Sequence, residues 1–363
     1  MKNTFGTSVT VTLFGESHGS AIGAVLDGMA PGVAVDEQEI VARMALRHGL
    51  PEISTPRREA DRVEILSGVM QGKTTGTPLA VLIRNEDARP ADYPADLPYR
   101  PGHADFAAEA KYHGFADQRG GGHFSGRLSA PLVALGTVAA AALRTRGITI
   151  GAHVQSCGGV KDRPFAADPH ADFAALATLP LAVLDAAAGE DMRRAALRAK
   201  EEGDSLGGVI EAAVLGLPCG VGEPWFDTVE GVLAHALFSI PAVKGVEFGD
   251  GFSLADCRGS EANDAYGVKD GIPFPLTNHA GGVLGGLTGG APLLCRVAVK
   301  PTPSIAKPQR TVTRAGEPTT LSLGGRHDPA VVLRARVVVE AMLALSLCDL
   351  LAQRYGTDWL GGR

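Results

Sequence analysis

Residues 15–19 read Gly-Glu-Ser-His-Gly and residues 203–207 read Gly-Asp-Ser-Leu-Gly, so one small scaffold is written twice, with an imidazole in only the first copy. The likeness continues downstream: Ile22, Gly28, Gly32 and Val33 are answered by Ile210, Gly216, Gly220 and Val221. A second module follows in the same order. Gly68-Val69, Gly72, Thr74, Gly76 and Pro78-Leu79 recur as Gly282-Val283, Gly286, Thr288, Gly290 and Pro292-Leu293. The period is too long for a solenoid and predicts two related halves, about 1–150 and 200–360, packed about a pseudo-twofold as one unit over 1–363. A motif built twice but armed once also predicts an asymmetric cleft with chemistry at His18.

Composition narrows what that cleft can hold. With 45% hydrophobic and 20% charged residues the chain is of ordinary globular make-up, and 47 glycines, many clustered, predict sharp turns and close approach to a ligand. A net charge of −6 gives no general attraction for nucleic acid. Arginine nevertheless outnumbers lysine 25 to 9, and ten arginines, among them Arg47, Arg100 and Arg127, fall before residue 130. Guanidinium forks match carboxylate and phosphate, so a compact anionic small molecule is expected. The five cysteines are scattered without metal-ligand spacing, and no metal site is expected. Reduced thiols, an N-terminus without a signal-like apolar core and an apolar stretch at 130–143 too short to span a bilayer together predict a cytoplasmic protein with no membrane partner.

Alternation predicts strands at 9–14 and 21–26, a hairpin with His18 at its tip, and further strands at 63–70, 78–83 and 292–299. Helical spacing is read at 36–46, with Asp36 as N-cap, at 228–237, and in two long helices at 125–146 and 330–354, each entered from a glycine-rich turn. Residues 161–200 read as a helical insertion and 303–320, with Pro303, Pro308 and Pro318, as a surface loop.

Several clusters join charge to imidazole. In Arg100-Pro101-Gly102-His103-Ala104-Asp105 the carboxylate either orients His103 or caps a helix. Gly120-Gly121-Gly122-His123-Phe124-Ser125-Gly126-Arg127 makes a cradle for a planar or phosphorylated group, and it is not a Rossmann fingerprint. Lys300-Pro301-Thr302-Pro303-Ser304 leaves a strand with a cation and two hydroxyls. In Gly325-Arg326-His327-Asp328-Pro329 the aspartate is placed for capping, for chemistry, or for both.

Taken in order, the Gly15–Gly19 motif, Arg100 to Asp105, Lys244 to Phe252, Asn278 to Gly286, Lys300 to Ser304 and Arg326 to Pro329 closely resemble the signatures of the chorismate synthase family. That resemblance covers essentially the whole chain. It implies an α+β fold, a β-α-β sandwich with two pseudo-symmetric halves sharing one core, assembled as a homotetramer. It also implies a carbon–oxygen lyase of aromatic amino-acid biosynthesis, converting 5-enolpyruvylshikimate 3-phosphate to chorismate and phosphate by an anti-1,4 elimination dependent on reduced FMN. By the same resemblance His18 protonates the departing phosphate, His103 keeps the reduced flavin correctly ionised and Asp328 assists proton removal. Arg47, Arg100 and Arg127 bind the substrate. His123, Phe124, Ser125, Ala242, Gly285, Lys300, Pro301, Thr302, Pro303, Ser304 and Arg326 line the flavin site. The chain departs from the family's commoner pattern twice: Ala45-Leu46-Arg47-His48 replaces a denser arginine run, and His123-Phe124-Ser125 replaces Arg-Ser-Ser. These departures leave the reductant open between NADPH and an external flavin reductase. A flavin oxidoreductase and a non-catalytic phosphoanion binder are the competing expectations.

Overall fold

The computed structural model describes residues 2–54, 61–86, 97–117, 119–177, 179, 181–323 and 328–362. The first half runs β1 (Thr4–Phe5), β2 (Thr10–Gly15), β3 (Ala21–Asp27), α1 (Glu37–Ala45), β4 (Val63–Ser67), the short hairpin β5 (Val69–Met70) and β6 (Lys73–Thr74), β7 (Leu79–Arg84), α2 (Asp105–Tyr112) and α3 (Ser129–Arg144). The second opens with β8 (Thr149–Cys157), β9 (Val160–Lys161), α4 (His170–Leu176), α5 (Ala186–Glu201), β10 (Gly208–Leu215), α6 (Val229–Phe238) and β11 (Val243–Phe248). It continues through α7 (Gly259–Ala262), the hairpins β12 (Tyr266–Lys269) with β13 (Ile272–Pro275) and β14 (Val283–Leu284) with β15 (Leu287–Thr288), then β16 (Leu293–Val299). The hairpin β17 (Gln309–Val312) with β18 (Pro318–Leu321) and the long helix α8 (Val332–Tyr355) follow.

The duplication is visible in the strand order. One sheet runs β1-β2-β3-β7-β4 and the other, taken from the matching edge, β9-β8-β10-β16-β11. All neighbours are antiparallel, and Ile22 opposite Ile83 in one sheet matches Ile210 opposite Val297 in the other. On each sheet alternate apolar residues, such as Ile22, Ala24 and Leu26 or Leu293, Cys295 and Val297, point to a buried face. Helix α3 lies on β3 and β7, α8 lies on β8 and β10, and α3 and α8 pack on one another with α1 and α6 beside them. The helices are therefore the filling of a β-α-β sandwich, and one apolar cluster draws on both halves. At the crossing a side chain on Gly136 would meet the Ala341 β-carbon at 2.4 Å, so the two axes come as close as they do because that residue has none. The segment Gly126–Arg144 is long and apolar enough to cross a membrane by length and composition, but 78% of its apolar window is buried in this layer.

The repeated threonines show why the modules recur. Thr74 Oγ1 accepts from Val33 N at 3.0 Å and donates to Ala30 O at 2.6 Å; Thr288 Oγ1 accepts from Val221 N at 2.9 Å and donates to Pro218 O at 2.6 Å. Each hydroxyl satisfies a backbone donor and acceptor that burial removes from water. Thr74→Val and Thr288→Val should each cost about 1–3 kcal/mol, and nearly the same amount, while the serine variants stay close to wild type. Denaturant midpoints for the four variants check this.

The structure adjusts four boundaries. The strand read at 63–70 breaks at Gly68 into β4 and the β5–β6 hairpin. The helix read from 125 begins at Ser129, because Ser125 Oγ accepts from Arg127 N and caps a separate short turn at 126–128. The second half starts at β8, ahead of residue 200, because the insertion carrying α4 and α5 separates β8 from its partner β10 and hides the likeness. The stretch 303–320 is not a plain loop: β17 and β18 pair around a turn at Gly316, where Gln-Arg-Thr-Val and Pro-Thr-Thr-Leu alternate between the prolines. Finally, Asp349 of α8 reaches the start of the chain, accepting from Thr7 N, Ser8 N and Val9 N at 2.7–3.0 Å.

Candidate active site

Strands β2 and β3 pair Gly15 with Ile22, which forces the residues between them into a tight connection with His18 on it. Asn85, immediately after β7, closes that turn: its Nδ2 donates to Glu16 O at 2.9 Å and to Gly19 O at 2.8 Å. Ser17 N donates to Gly122 O at 3.1 Å and Ser17 Oγ to Arg119 O at 3.2 Å, docking the turn on the glycine-rich loop. The hydroxyl is then left to accept from His18 Nδ1, 3.1 Å away.

The loop itself joins the two imidazoles. Gly120, Gly121 and Gly122 hold φ of +60°, +104° and +52°, which L side chains rarely adopt. A β-carbon on Gly120 would lie 2.0 Å from His18 Cε1, and one on Gly121 would lie 3.3 Å from His103 Nε2. Successive residues of one bare strip of backbone thus touch His18 and His103, both half-buried.

His103 is oriented by Asp105, which settles the alternative left open by the sequence. Asp105 Oδ1 lies 2.7 Å from His103 Nδ1, and the same carboxylate takes Arg100 N, Nε and Nη2 at 3.0, 2.8 and 2.6 Å. It makes no capping bond to α2. Burial alone would raise the Asp105 carboxyl, but the hydrogen bonds and charges of His103 and Arg100 outweigh it and hold the group far below the usual carboxylate range. An ionised Asp105 makes His103 Nδ1 a donor and leaves Nε2, facing Gly121, as the working nitrogen. The fork of Arg100 is engaged on Asp105 within a buried ion pair.

Arg47 and Arg127 converge on Asp61. Arg47 Nη1 bonds Asp61 Oδ2 at 2.8 Å, and Arg127 Nη1 bonds Asp61 Oδ1 at 2.6 Å; Arg127 Nε adds Asn85 Oδ1 at 2.5 Å and Arg127 Nη2 adds Arg84 O at 3.1 Å. Arg334 of α8 donates to Arg47 O at 3.0 Å and touches Asp328 Oδ2 at 2.6 Å, off-axis for a hydrogen bond. Contacts therefore run unbroken from Asp328 in one half through Arg334, Arg47, Asp61, Arg127 and Asn85 to the His18 turn in the other. The field there is cationic: His48 titrates below its ordinary value, first because it is partly buried and then because Arg47, Arg334 and Arg127 outnumber Asp61.

The second half adds a cation and hydroxyls. Lys300 Nζ donates to Gly102 O at 2.6 Å, a side chain on Gly102 would touch Pro303 at 3.2 Å, and Ser205 Oγ donates to Thr302 O at 2.7 Å. Thr302 Oγ1 is buried with no hydrogen-bond partner, and Lys300 N donates to Ala242 O at 2.9 Å. The segment Lys300, Pro301, Thr302, Pro303 and Ser304 thus lies against the Arg100–His103 motif, with Ala242 beside it. Asp328 is 5% exposed, faces Arg334 and accepts from Ala330 N at 3.0 Å in the turn before α8; it makes no capping bond to that helix, whose N-cap is Val331.

Other expected residues sit differently. His123 Nδ1 lies 2.8 Å from Gly15 O and Nε2 3.3 Å from Asn3 Oδ1, so its ring braces the end of β2. Phe124 meets Tyr112 edge-on, and Ser125 is a cap. Gly285 is exposed in the β14–β15 turn, next to the Gly286 carbonyl that accepts from Val229 at the start of α6; no hydrogen bond among the described residues ties it to the imidazoles. Arg326 lies outside the described residues. Sequence reasoning missed Asp61, Asn85 and Arg334. Asn85 alone carried a signal, an amide directly beyond an apolar strand on the side where the His18 turn ends. Among the described residues no group of three or more His, Cys, Asp or Glu is placed to hold a metal.

Against known proteins, the sequence pattern of the chorismate synthase family matches residues 9–352. The chorismate synthase of Aeropyrum pernix is 46% identical, covering 97% of this chain and 93% of that protein. That of Lachnoclostridium phytofermentans is 46% identical over 96% and 95%. A crystal structure of chorismate synthase superposes with a TM-score of 0.78 at 32% identity, covering 97% of this chain and 94% of the other.

Proposed function

Because this chain belongs to the chorismate synthase family of lyases, we propose that it eliminates phosphate from 5-enolpyruvylshikimate 3-phosphate to give chorismate, with reduced FMN bound beside the substrate. One observation carries the reading: His18 and His103 lie against consecutive glycines, each ring oriented by its own neighbour.

The residues suit a flat, negatively charged cofactor. Gly120 and Gly121 present backbone where a side chain would collide, Thr302 Oγ1 is a buried hydroxyl without a partner, and Lys300 supplies charge. Reduced flavin, when bound, supplies electron density to the C–O bond that breaks. The protein's part is to manage charge and protons. His18 donates to the departing phosphate oxygen, and Arg47 and Arg127 stabilise the phosphate and carboxylates, sharing their guanidinium groups with Asp61. Arg100 acts through Asp105, fixing the ring of His103, whose Nε2 sets the ionisation of the flavin. Asp328 assists removal of the substrate proton from the opposite half. As one C–H and one C–O bond break, a new C=C forms and no electrons are gained or lost overall.

His123 braces β2, so its ring is not displayed for a nicotinamide phosphate; this supports delivery of reduced FMN by a separate reductase. Homotetramer formation is supported by the β12–β13 hairpin, where Tyr266, Val268 and Ile272 are 62–72% exposed on a two-stranded element that is marginal unless covered. Five free cysteines fit a reducing cytoplasm.

The test is anaerobic incubation with the enolpyruvyl phosphate ester and chemically reduced FMN. Phosphate and chorismate should appear in equal amounts over many turnovers per flavin, and NADPH with FMN and protein alone should leave the flavin oxidised. Absence of phosphate release overturns the elimination, and consumption of one reductant per product would point to an oxidoreductase instead.

A further inference from the structure

We infer that Asn85 is a positioning residue that couples anion binding at Arg127 to the placement of the His18 imidazole. This rests on the role of His18 given above, and it extends that role to a residue that neither the motifs nor the family likeness singled out.

The amide of Asn85 makes three bonds, each to a different part of the site. Its Nδ2 holds both ends of the turn bearing His18, Glu16 O at 2.9 Å and Gly19 O at 2.8 Å, and its Oδ1 accepts from Arg127 Nε at 2.5 Å. Only a planar amide offers two donors and an acceptor on one rigid group, so a shift of the guanidinium must turn the amide and the turn with it. Arg127 is otherwise held by Asp61 and by Arg84 O. When an anion competes with Asp61 for that guanidinium, the rearrangement has a direct route to the proton donor.

The pseudo-symmetry supplies a control built into the same chain. Asn85 N donates to Ser20 O, next to the pair Ala21–Arg84. In the second sheet the equivalent place, opposite Gly208 and next to the pair Val209–Ala298, is Val299, which is 5% exposed. The turn there carries Leu206 and, among the described residues, is held without a side-chain clamp of this kind, by Leu206 N to Pro329 O and Ser205 Oγ to Thr302 O. The amide is therefore present in the half that has the imidazole and replaced by an aliphatic side chain in the half that lacks it. A clamp needed only to fold this type of turn would be expected in both.

The experiment compares wild type with Asn85→Ala, Asn85→Asp, His18→Ala and the double variant Asn85→Ala/His18→Ala in the full chain. Asn85→Asp keeps the size and the acceptor for Arg127 but removes both donors, and it serves if the alanine variant does not fold. Either single change at Asn85 should lower kcat about 10²-fold, the scale of a misplaced reacting group, with KM within about threefold. Binding of inorganic phosphate, by calorimetry, should stay within threefold of wild type. The His18 ring resonances, which should shift on phosphate addition in the wild type, should cease to respond. In the His18→Ala background the Asn85 change should cost nothing further. Full activity of a folded Asn85 variant, an equal loss with and without His18, or an unaltered ring response would each overturn the inference while leaving the proposed reaction intact. Undiminished turnover by His18→Ala would instead remove the role of His18, and the coupling with it.

Discussion

His18→Ala and His103→Ala are each expected to lower turnover by ~10²–10⁴-fold with little change in overall stability, the range over which positioned acid–base groups act. Each ring is half-buried on a loop whose contacts are made mostly by backbone: Ser17 N to Gly122 O and the Asn85 bonds hold the first turn without help from the His18 ring. For His103 the argument passes through Asp105. That carboxylate keeps Arg100 when the imidazole is removed, so the buried pair stays neutralised and the fold should survive. Anaerobic steady-state rates with reduced FMN, beside thermal melts of the same variants, decide the matter. A protein that only binds phosphoanions would lose affinity and have no turnover to lose, and retention of near wild-type rates would remove both assignments.

The second large effect concerns stability. His153 on β8 is fully buried between two carboxylates, Asp162 Oδ2 at 2.9 Å from Nδ1 and Glu211 Oε2 at 2.9 Å from Nε2. Leu184 N and Asp185 N also donate to Asp162, and Phe165 N to Glu211. These groups pin the α4–α5 insertion to the outer face of the second sheet. His153→Leu would leave two buried carboxylates without their cation and should cost about 3–5 kcal/mol, seen as a lower denaturation midpoint. Burial disfavours the charged ring, yet the bonds and charges of Asp162 and Glu211 prevail and raise its titration above the ordinary histidine value. The stabilisation is therefore complete below pH ~6.5 and is lost as pH rises through the higher, folded value. Burial likewise raises Asp162, but His153 and the two backbone donors prevail and lower it, so at the acid end stability is lost as pH falls through that depressed value. Wild type should lose stability at both ends and His153→Leu should show a flatter profile on the alkaline side. Equal slopes there would exclude His153 as the cause.

Much of this was legible in the residues. Period-two alternation located β2, β3 and β7 in the first sheet and β16 in the second, and the repeated Gly-Val and threonine positions foretold halves that match down to individual hydrogen bonds, because a buried hydroxyl satisfying two backbone groups tolerates little change. The imidazole-for-leucine exchange marked the turn that the structure sets against the Gly120–Gly122 loop. What stayed hidden depends on long-range pairing. Nothing in the chain announces that Asp61 will gather Arg47 and Arg127, since a lone aspartate beside arginines is the commonest of surface patterns. Arg334 looks like any charged residue of a helix until α8 is laid across Arg47. His123 stood in a promising motif, yet a nearby carbonyl at the end of β2 claimed its ring.

The placement of α8 has a consequence for biogenesis. This is the last long helix, yet it fills the middle of the sandwich, touches both β8 and α3, and through Asp349 ties down the backbone of residues 7–9. Helix α3 can cover the first sheet early, but the apolar face of the second sheet stays open until α8 follows it in the chain. The second sheet therefore cannot gain its helical cover until residues 332–355 have been made, long after β8 and β10.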